Sequence, residues 1–342
     1  MNLDIRPIIE QYDASCQPTA SEYLAGAGGF SGSQFWRLTT PRGTLALRLY
    51  APGLISEQQL HMNAALLRGA AQSRLGFAVP VPIETPRGRP FVLRQHEFWD
   101  LCDWLPGQAV AEGSSTLAHV RNAMTALAKL HLAFNPHSGS ASRSWSASRA
   151  VEKRLWRIDE LRLGRLPQIV AYVTSHPKTT PFWCESAHTL AMWFNLESDR
   201  LAKALESCSG SVPIAISMLD VWRDNVLFDP QANVLSVIDF ADFDTDSFAL
   251  DIARLLGSLI AGHPQWWAEG LAAYESVRPI SNAEHDLAIL LDQANVILSA
   301  WNWLEWLFVE RRKFSDLHRV EERVRHFLTR LPEVFTPDTP RW

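Results

Sequence analysis

The sequence predicts an α+β protein in two parts, a small antiparallel sheet in residues 1–104 and a larger, mostly helical part in residues 105–342. Three observations predict it. Ahead of residue 104, short runs alternate with period two between turns, as in Thr44-Leu-Ala-Leu-Arg-Leu-Tyr50 after Pro41-Arg42-Gly43. Beyond Asp103-Trp-Leu-Pro-Gly107, a break that reads as a hinge, apolar residues recur at helical spacing, as at 120, 124, 127, 130 and 134. A strand–turn–strand unit at 212–239 then interrupts the helices.

Taken in order, Ile5, Ile8, Ile9 and Tyr12 fit a short helix or arm leading to a first strand. Gly26, Gly28, Gly29 and Gly32 follow, with Ser31 among them. Such a run lets backbone N–H groups face phosphate oxygens, and it equally suits a plain loop. No Gly-Lys-Ser/Thr follows, so it is not a Walker A motif. After strand Gln34–Thr40, the next strand points Leu45, Leu47 and Leu49 one way and Ala46, Arg48 and Tyr50 the other. A flat base fits over Ala46 with Arg48 reaching a phosphate; the alternative is an edge arginine extending to water.

Residues 56–75 have helical spacing, and Glu57 is either a partner for Arg48 or part of a solvated helix start. Phe91–Arg94 and Glu97–Cys102 read as two more strands. A helix over 118–134 carries His131 as a bracing or core residue, 138–149 is expected as a surface loop, and 150–207 supplies two or three helices. Asp251–Ile260 is a helix start; 287–311 is helical with Trp301, Trp303 and Trp306 expected as core, one face of the set being able to line an acceptor pocket, and 316–330 is amphipathic. Asp242, Asp244 and Asp246 read as a solvated acidic loop and not as a second metal site.

A net charge of −5 leaves no basic field for nucleic acid or acidic lipid. No run of 18 apolar residues predicts a membrane span, and the first thirteen residues hold three acids and no long apolar core, against a signal peptide. Cys16, Cys102, Cys184 and Cys208 form no CxxC pair, which predicts a reduced, cytoplasmic chain.

The chemistry concentrates between Ser217 and Asp251. Asp220 precedes Asn225 by five residues, and a strand, turn and strand then deliver Asp239-Phe240. Singly, these are ordinary loop residues. As a set they suit phosphoryl transfer, which needs a carboxylate near the acceptor hydroxyl, hard oxygen ligands and donors on the phosphates. Mg²⁺ favours few protein oxygens, so Asn225 and Asp239 suit it, and Asp220 is then free to orient a hydroxyl and take its proton.

The order of Gly26–Ser33, Leu45-Ala-Leu-Arg48, Asp103–Gly107, Asp220-Val-Trp-Arg-Asp-Asn225, Ile238-Asp-Phe240 and Asp251-Ile-Ala resembles the aminoglycoside phosphotransferase-like families. These include choline kinases and one type of homoserine kinase, and the resemblance runs from about residue 20 to the C-terminus. It implies a two-lobed protein kinase-like fold and ATP- and Mg²⁺-dependent phosphorylation of a small-molecule hydroxyl. Asp220 would be the base, and Asn225 and Asp239 the metal ligands. Gly28, Gly29, Ser31 and Gly32 would cover the phosphates, Ala46 and Arg48 would line the nucleotide, and Asp103 to Leu105 would present main chain to adenine. Asp251 would brace the catalytic loop. Two positions depart from the family: Arg48 stands where a Lys is usual, and Met218-Leu219 where His-Gly is common. Arg is bulkier and planar. These departures open a second expectation, a nucleotide-binding pseudokinase with a regulatory role, and a third is transfer of the nucleotide itself.

Overall fold

The structure, a computed structural model, describes residues 3–25, 30–136, 144–208, 210–314 and 316–335. The chain forms two compact units. One comprises Met1–Gln108, Asn225–Asp229 and Val234–Phe243, and the other Ala109–Asp224, Pro230–Asn233 and Asp244–Trp342.

The first unit is built on an antiparallel sheet of β1 (Ala20–Leu24), β2 (Gln34–Thr40), β3 (Gly43–Leu49), β4 (Val92–Arg94) and β5 (Glu97–Asp103), in the order β1-β2-β3-β5-β4. Alternation decides its two faces. Leu45, Leu47 and Leu49 of β3 are buried with Trp36 and Leu38 of β2 and Trp99 and Leu101 of β5. The short helix α1 (Arg6–Ile9), the helix or arm expected ahead of the first strand, adds Ile8 and Ile9 to that layer. Full burial of each such side chain contributes roughly 1.5–3 kcal/mol. The β4–β5 hairpin turns through Gln95 and His96, both at positive φ (51° and 66°). Positive φ at both central residues is the turn geometry that matches strand twist. Helix α2 (Glu57–Gln72) starts on a capping box of Ser56 and Gln59 and buries Leu60, Ala64 and Leu67.

Asn225–Asp229 and Val234–Phe243 join this unit through backbone bonds. The Ala78 N–H donates to the Leu235 carbonyl (2.9 Å), and the Val237 N–H to the Ala78 carbonyl (3.0 Å). A hairpin of β9 (Val226–Phe228) and β10 (Val234–Val237) results. The main chain at Gly107 passes close to it: a Cβ there would lie 2.9 Å from that of Leu227, at φ +103°. Only glycine fits both the space and the torsion. The two-residue strand β6 (Gln108–Ala109) follows.

The second unit holds α3 (Leu117–Phe134), α4 (Arg149–Glu160), α5 (Leu166–Ser175), α6 (Pro181–Ser207), α7 (Phe248–Leu259), α8 (Trp266–Glu275), α9 (Asn282–Leu304) and α10 (Leu317–Phe335). Helix α9 packs against α4, α6, α7 and α10, which is why it is apolar on nearly every side. Trp301 is fully buried and Trp303 nearly so, as core residues, whereas Trp306 is only half-buried, with Arg312 over its ring. A small sheet, ordered β11-β8-β7, joins β7 (Ser144–Ser146), β8 (Val212–Ser217) and β11 (Asp244–Asp246). Strand β7 falls within the stretch expected as a plain surface loop. It forms by pairing with β8, a partner some seventy residues away that local pattern does not reveal.

A buried ion pair fixes how α7, α9 and α10 meet. Arg330 of α10 donates to Asp292 of α9 (2.7 Å) and to the carbonyl of Gly257 in α7. A Cβ at Gly257 would sit 2.3 Å from Asp292 Oδ1 and 3.1 Å from Arg330 Nη1. Gly257→Ala is therefore expected to destabilise the fold by about 1–3 kcal/mol through overpacking. Gly69→Ala, on α2 with nothing within 4 Å of the new methyl, is expected to be neutral or to stabilise by up to about 1 kcal/mol. Urea midpoints at unchanged slope read both effects.

Candidate active site

Strand β8 ends at Ser217, and the chain must then turn sharply to present Asp220. Leu219 takes a left-handed conformation (φ 63°) that a branched side chain seldom adopts. The buried carboxylate of Asp251, in the first turn of α7, accepts the N–H of Met218 (2.7 Å) and of Leu219 (2.8 Å). Bonds from N–H to a carboxylate are about twice as strong as neutral ones, enough to hold such a turn. Asp251 thus occupies the bracing position expected of it. Met218 is 2% exposed; its side chain packs while its N–H takes polar support from Asp251.

One face of α7 lines the rest of the loop. Arg254 pairs with Asp220, whose side chain is 59% exposed. Ser258 accepts the Arg223 N–H at 2.9 Å. Neither residue was singled out from the sequence. Both stand at helical spacing from Asp251, on the face it defines.

Asp251 is in turn held by His131 of α3, whose Nε2 lies 3.0 Å from it. Arg278 Nη1 donates to the Tyr274 oxygen (3.3 Å), so the Tyr274 hydroxyl donates to His131 Nδ1 (2.7 Å) and Nε2–H points to Asp251. That tautomer satisfies each buried polar atom in the relay. The Phe248 ring stacks on His131 at 4.0 Å. Burial holds the His131 imidazole below its usual pKa, with the Asp251 bond opposing, and lifts the Tyr274 phenol above its own. His131 is a bracing residue, as its sequence position suggested.

In the first unit, Ala46, Arg48 and Cys102 face the same side of the sheet, with Ala46 opposite Cys102 and Arg48 opposite Asp100. Arg48 donates to Asp100 through Nε (3.4 Å) and Nη2 (2.9 Å), and it lies against the Tyr50 ring at 4.1 Å. The Tyr50 hydroxyl donates to Asp100 at 2.6 Å. Burial alone would lower the Arg48 pKa, but Asp100, Tyr50 and Asp239 raise it overall. Glu57 is not the partner expected for Arg48; it lies 4.0 Å from His61 on its own helix. The planar guanidinium takes a forked partner directly across the sheet. From α2 comes Asn63, whose amide donates to the Phe240 carbonyl (2.9 Å). Next to it, Asp239 takes φ 65° and stands 3.6 Å from Arg48 Nη1. Burial, with Asp100 nearby, pushes the Cys102 thiol up to about 12, so it stays protonated.

The remaining candidates are placed as follows. Gly28 and Gly29 lie outside the described residues. Ser31 and Gly32 form a turn, with Ser31 Oγ accepting the Ser33 N–H (3.2 Å) and Gly32 at φ +78°. Asp103 ends β5, exposed and 3.6 Å from Arg42, and Leu105 is half-buried beyond it. The Asn225 carbonyl accepts the Ile238 N–H (2.8 Å), tying the residue after Asp224 to the segment that runs from β10 into Asp239. Asp246 is not the solvated acid expected. It is buried and accepts from Ser148 Oγ (2.6 Å) and the N–H groups of Ala150 (2.8 Å) and Ser247 (2.7 Å). It serves the N-termini of α4 and α7, whose unpaired donors attract a carboxylate.

Two outcomes follow. Asp100→Ala leaves the partly buried Arg48 without its forked partner and is expected to cost about 1.5–3 kcal/mol, read by urea denaturation. The depressed pKa of His131 means that the unfolded chain binds a proton which the folded chain refuses. Stability is then full above the unfolded histidine pKa, near ~6.5, and falls as pH drops below it. His326, also lowered by burial, adds to the same window. Thermal midpoints between pH 7.5 and about 5 should fall, and His131→Gln should flatten the slope.

The family profile described as the phosphotransferase enzyme family matches residues 22–284. Among curated proteins none matches this chain. An aminoglycoside phosphotransferase from Alicyclobacillus acidocaldarius subsp. acidocaldarius DSM 446 shares the fold, with a TM-score of 0.60 at 20% identity over 97% of this chain and 96% of that one. Spectinomycin phosphotransferase in complex with ADP and spectinomycin gives 0.61 at 9% identity over 94% and 93%. A microcompartment-associated aminopropanol kinase gives 0.60 at 16% identity over 96% of each chain. With its kinase-like α+β fold and the profile match over residues 22–284, the chain belongs to the phosphotransferase enzyme family, the aminoglycoside phosphotransferase-like enzymes.

Proposed function

We propose that the protein transfers the γ-phosphoryl group of ATP, with Mg²⁺, to a hydroxyl of a small molecule. The observation that carries this reading is the backbone at Met218 and Leu219, fixed by a buried carboxylate so that Asp220 follows it exposed and paired with Arg254. Asp220 would orient the acceptor hydroxyl and take its proton, and Arg254 would hold the carboxylate in place. Arg48 would place its cation on the nucleotide phosphates, Ala46 would leave room for the base, and Asp103 to Leu105 would offer main chain to adenine. Gly28, Gly29, Ser31 and Gly32 would supply N–H groups around the phosphates.

Asn225 and Asp239 would hold the metal. Mg²⁺ is bound by one or two side-chain oxygens with phosphate and water completing its shell. The donor set fits, because both residues offer hard oxygen. Bound there, the ion would neutralise charge on the transferring phosphate.

Solved relatives by fold were crystallised with spectinomycin or named for aminopropanol, which points the acceptor search to amino sugars and amino alcohols. Mass analysis of products after incubation with ATP, Mg²⁺ and a panel of amino alcohols, sugars and aminoglycosides tests the reading. One acceptor should gain a phosphoryl group, and Asp220→Ala should lower kcat by about 10²–10⁴. Arg48, locked to Asp100 where a lysine is usual, favours a second reading, a nucleotide-binding regulator. A thermal shift with ATP and Mg²⁺ but no product anywhere in the panel would support it, and no shift at all would remove both.

A further inference from the structure

The loop between Asp220 and Asn225 is held from a second side, by a helix outside the matched family span. Helix α10 begins at Leu317, whereas the family profile ends at residue 284. The Trp222 ring is boxed by three side chains of α10: Arg323 over its face (4.5 Å), His326 edge-on (5.2 Å) and Phe327 (5.8 Å). Asp224 pairs with Arg323 (2.6 Å) and with Arg319 one turn earlier (3.4 Å). Arg223 pairs with Glu112 (2.6 Å), and His326 Nδ1 lies 2.9 Å from the other oxygen of that carboxylate. Every residue from Trp222 to Asp224 therefore meets α10 directly or through Glu112.

This is more than the covering of a core. Val320, Val324 and Leu331 do the covering, while Arg319, Arg323 and His326 turn towards the loop. Nor can α10 slip along its axis, because Arg330 is bonded to Asp292 and to the Gly257 carbonyl. Arg323 is 13% exposed and Asp224 30%, so their attraction is only partly screened. Asp220 lies two residues before Trp222 and Asn225 one residue after Asp224. A shift of the segment between them would move a reacting group on either flank.

We propose that α10 is a positioning element for the phosphoryl-transfer loop, acting through Arg323 on Trp222 and Asp224. The inference rests on the reading of Asp220 as the base, and its test separates the two. Arg323→Gln and Asp224→Asn are made singly and together in the full chain. Each is followed by kcat and KM for ATP with the acceptor found in the panel, by amide hydrogen exchange and by thermal midpoint. Each single variant should lower kcat about tenfold or more and leave KM for ATP within about twofold, with the double variant no worse than the poorer single. Exchange should quicken in residues 218–225 and stay unchanged in α7, and Arg323→Lys should recover part of kcat. Unchanged kcat overturns the proposal, as does a loss that follows a falling midpoint with exchange rising throughout α10. If the unaltered protein phosphorylates nothing in the panel, the phosphotransfer reading falls by itself. Exchange then decides alone, and an unchanged rate in residues 218–225 overturns the clamp.

Discussion

The carboxylate of Asp251 accepts two successive backbone N–H groups in the interior of the helical unit, and most of the candidate site depends on that contact. Without it, Met218 and Leu219 would each leave a donor unpaired at a turn already strained by positive φ. A buried donor left without a partner costs about 1–3 kcal/mol. The same carboxylate fixes the His131 tautomer through Nε2, and the relay continues through Tyr274 to Arg278, itself paired with Glu284 at 2.8 Å. Five residues on α3, α7, α8, α9 and the segment before α9 thus converge on two peptide groups. The result is a loop that is rigid where it leaves β8 and exposed where Asp220 begins.

The first unit solves a different problem, how to satisfy a partly buried guanidinium. Arg48 sits on a strand whose other face is solid core, so its head must be satisfied on the sheet surface. Asp100 across the ladder, the Tyr50 ring beneath and Asp239 on the following loop supply that environment. A lysine ammonium has no planar fork to match to Asp100, and arginine at this position and aspartate at 100 form a set. Helix α2, relieved of the ion pair, holds the Asp239-Phe240 turn through Asn63 instead.

Much of this was legible in the sequence. Period-two alternation marked β3 and strand-like runs marked β2 and β5, helical spacing marked α2 and α3 and apolar helical runs α7 and α9, and the order of Asp220, Asn225, Asp239 and Asp251 marked the candidate site. What stayed hidden depends on pairing over long separations. Asp100 meets Arg48 from 52 positions away, through a register that turn lengths outside β3 and β5 set. Strand β7 exists only against β8, and the burial of Asp246 requires the N-termini of two helices to meet. Arg254 was closer to view: once Asp251 is placed at the start of a helix, a residue three positions on shares its face. Trp222 and Asp224 gave no local sign of α10, about a hundred residues downstream.

The most direct test of the account is Asp251→Asn. The amide keeps the shape of the carboxylate but turns one acceptor into a donor facing a backbone N–H, which loosens the loop and leaves Ala46 and Arg48 of the first unit untouched. Nucleotide affinity should stay within about twofold while kcat falls by about tenfold or more. An unchanged kcat, or affinity and kcat lost in equal measure, would contradict the claim that this carboxylate positions Asp220.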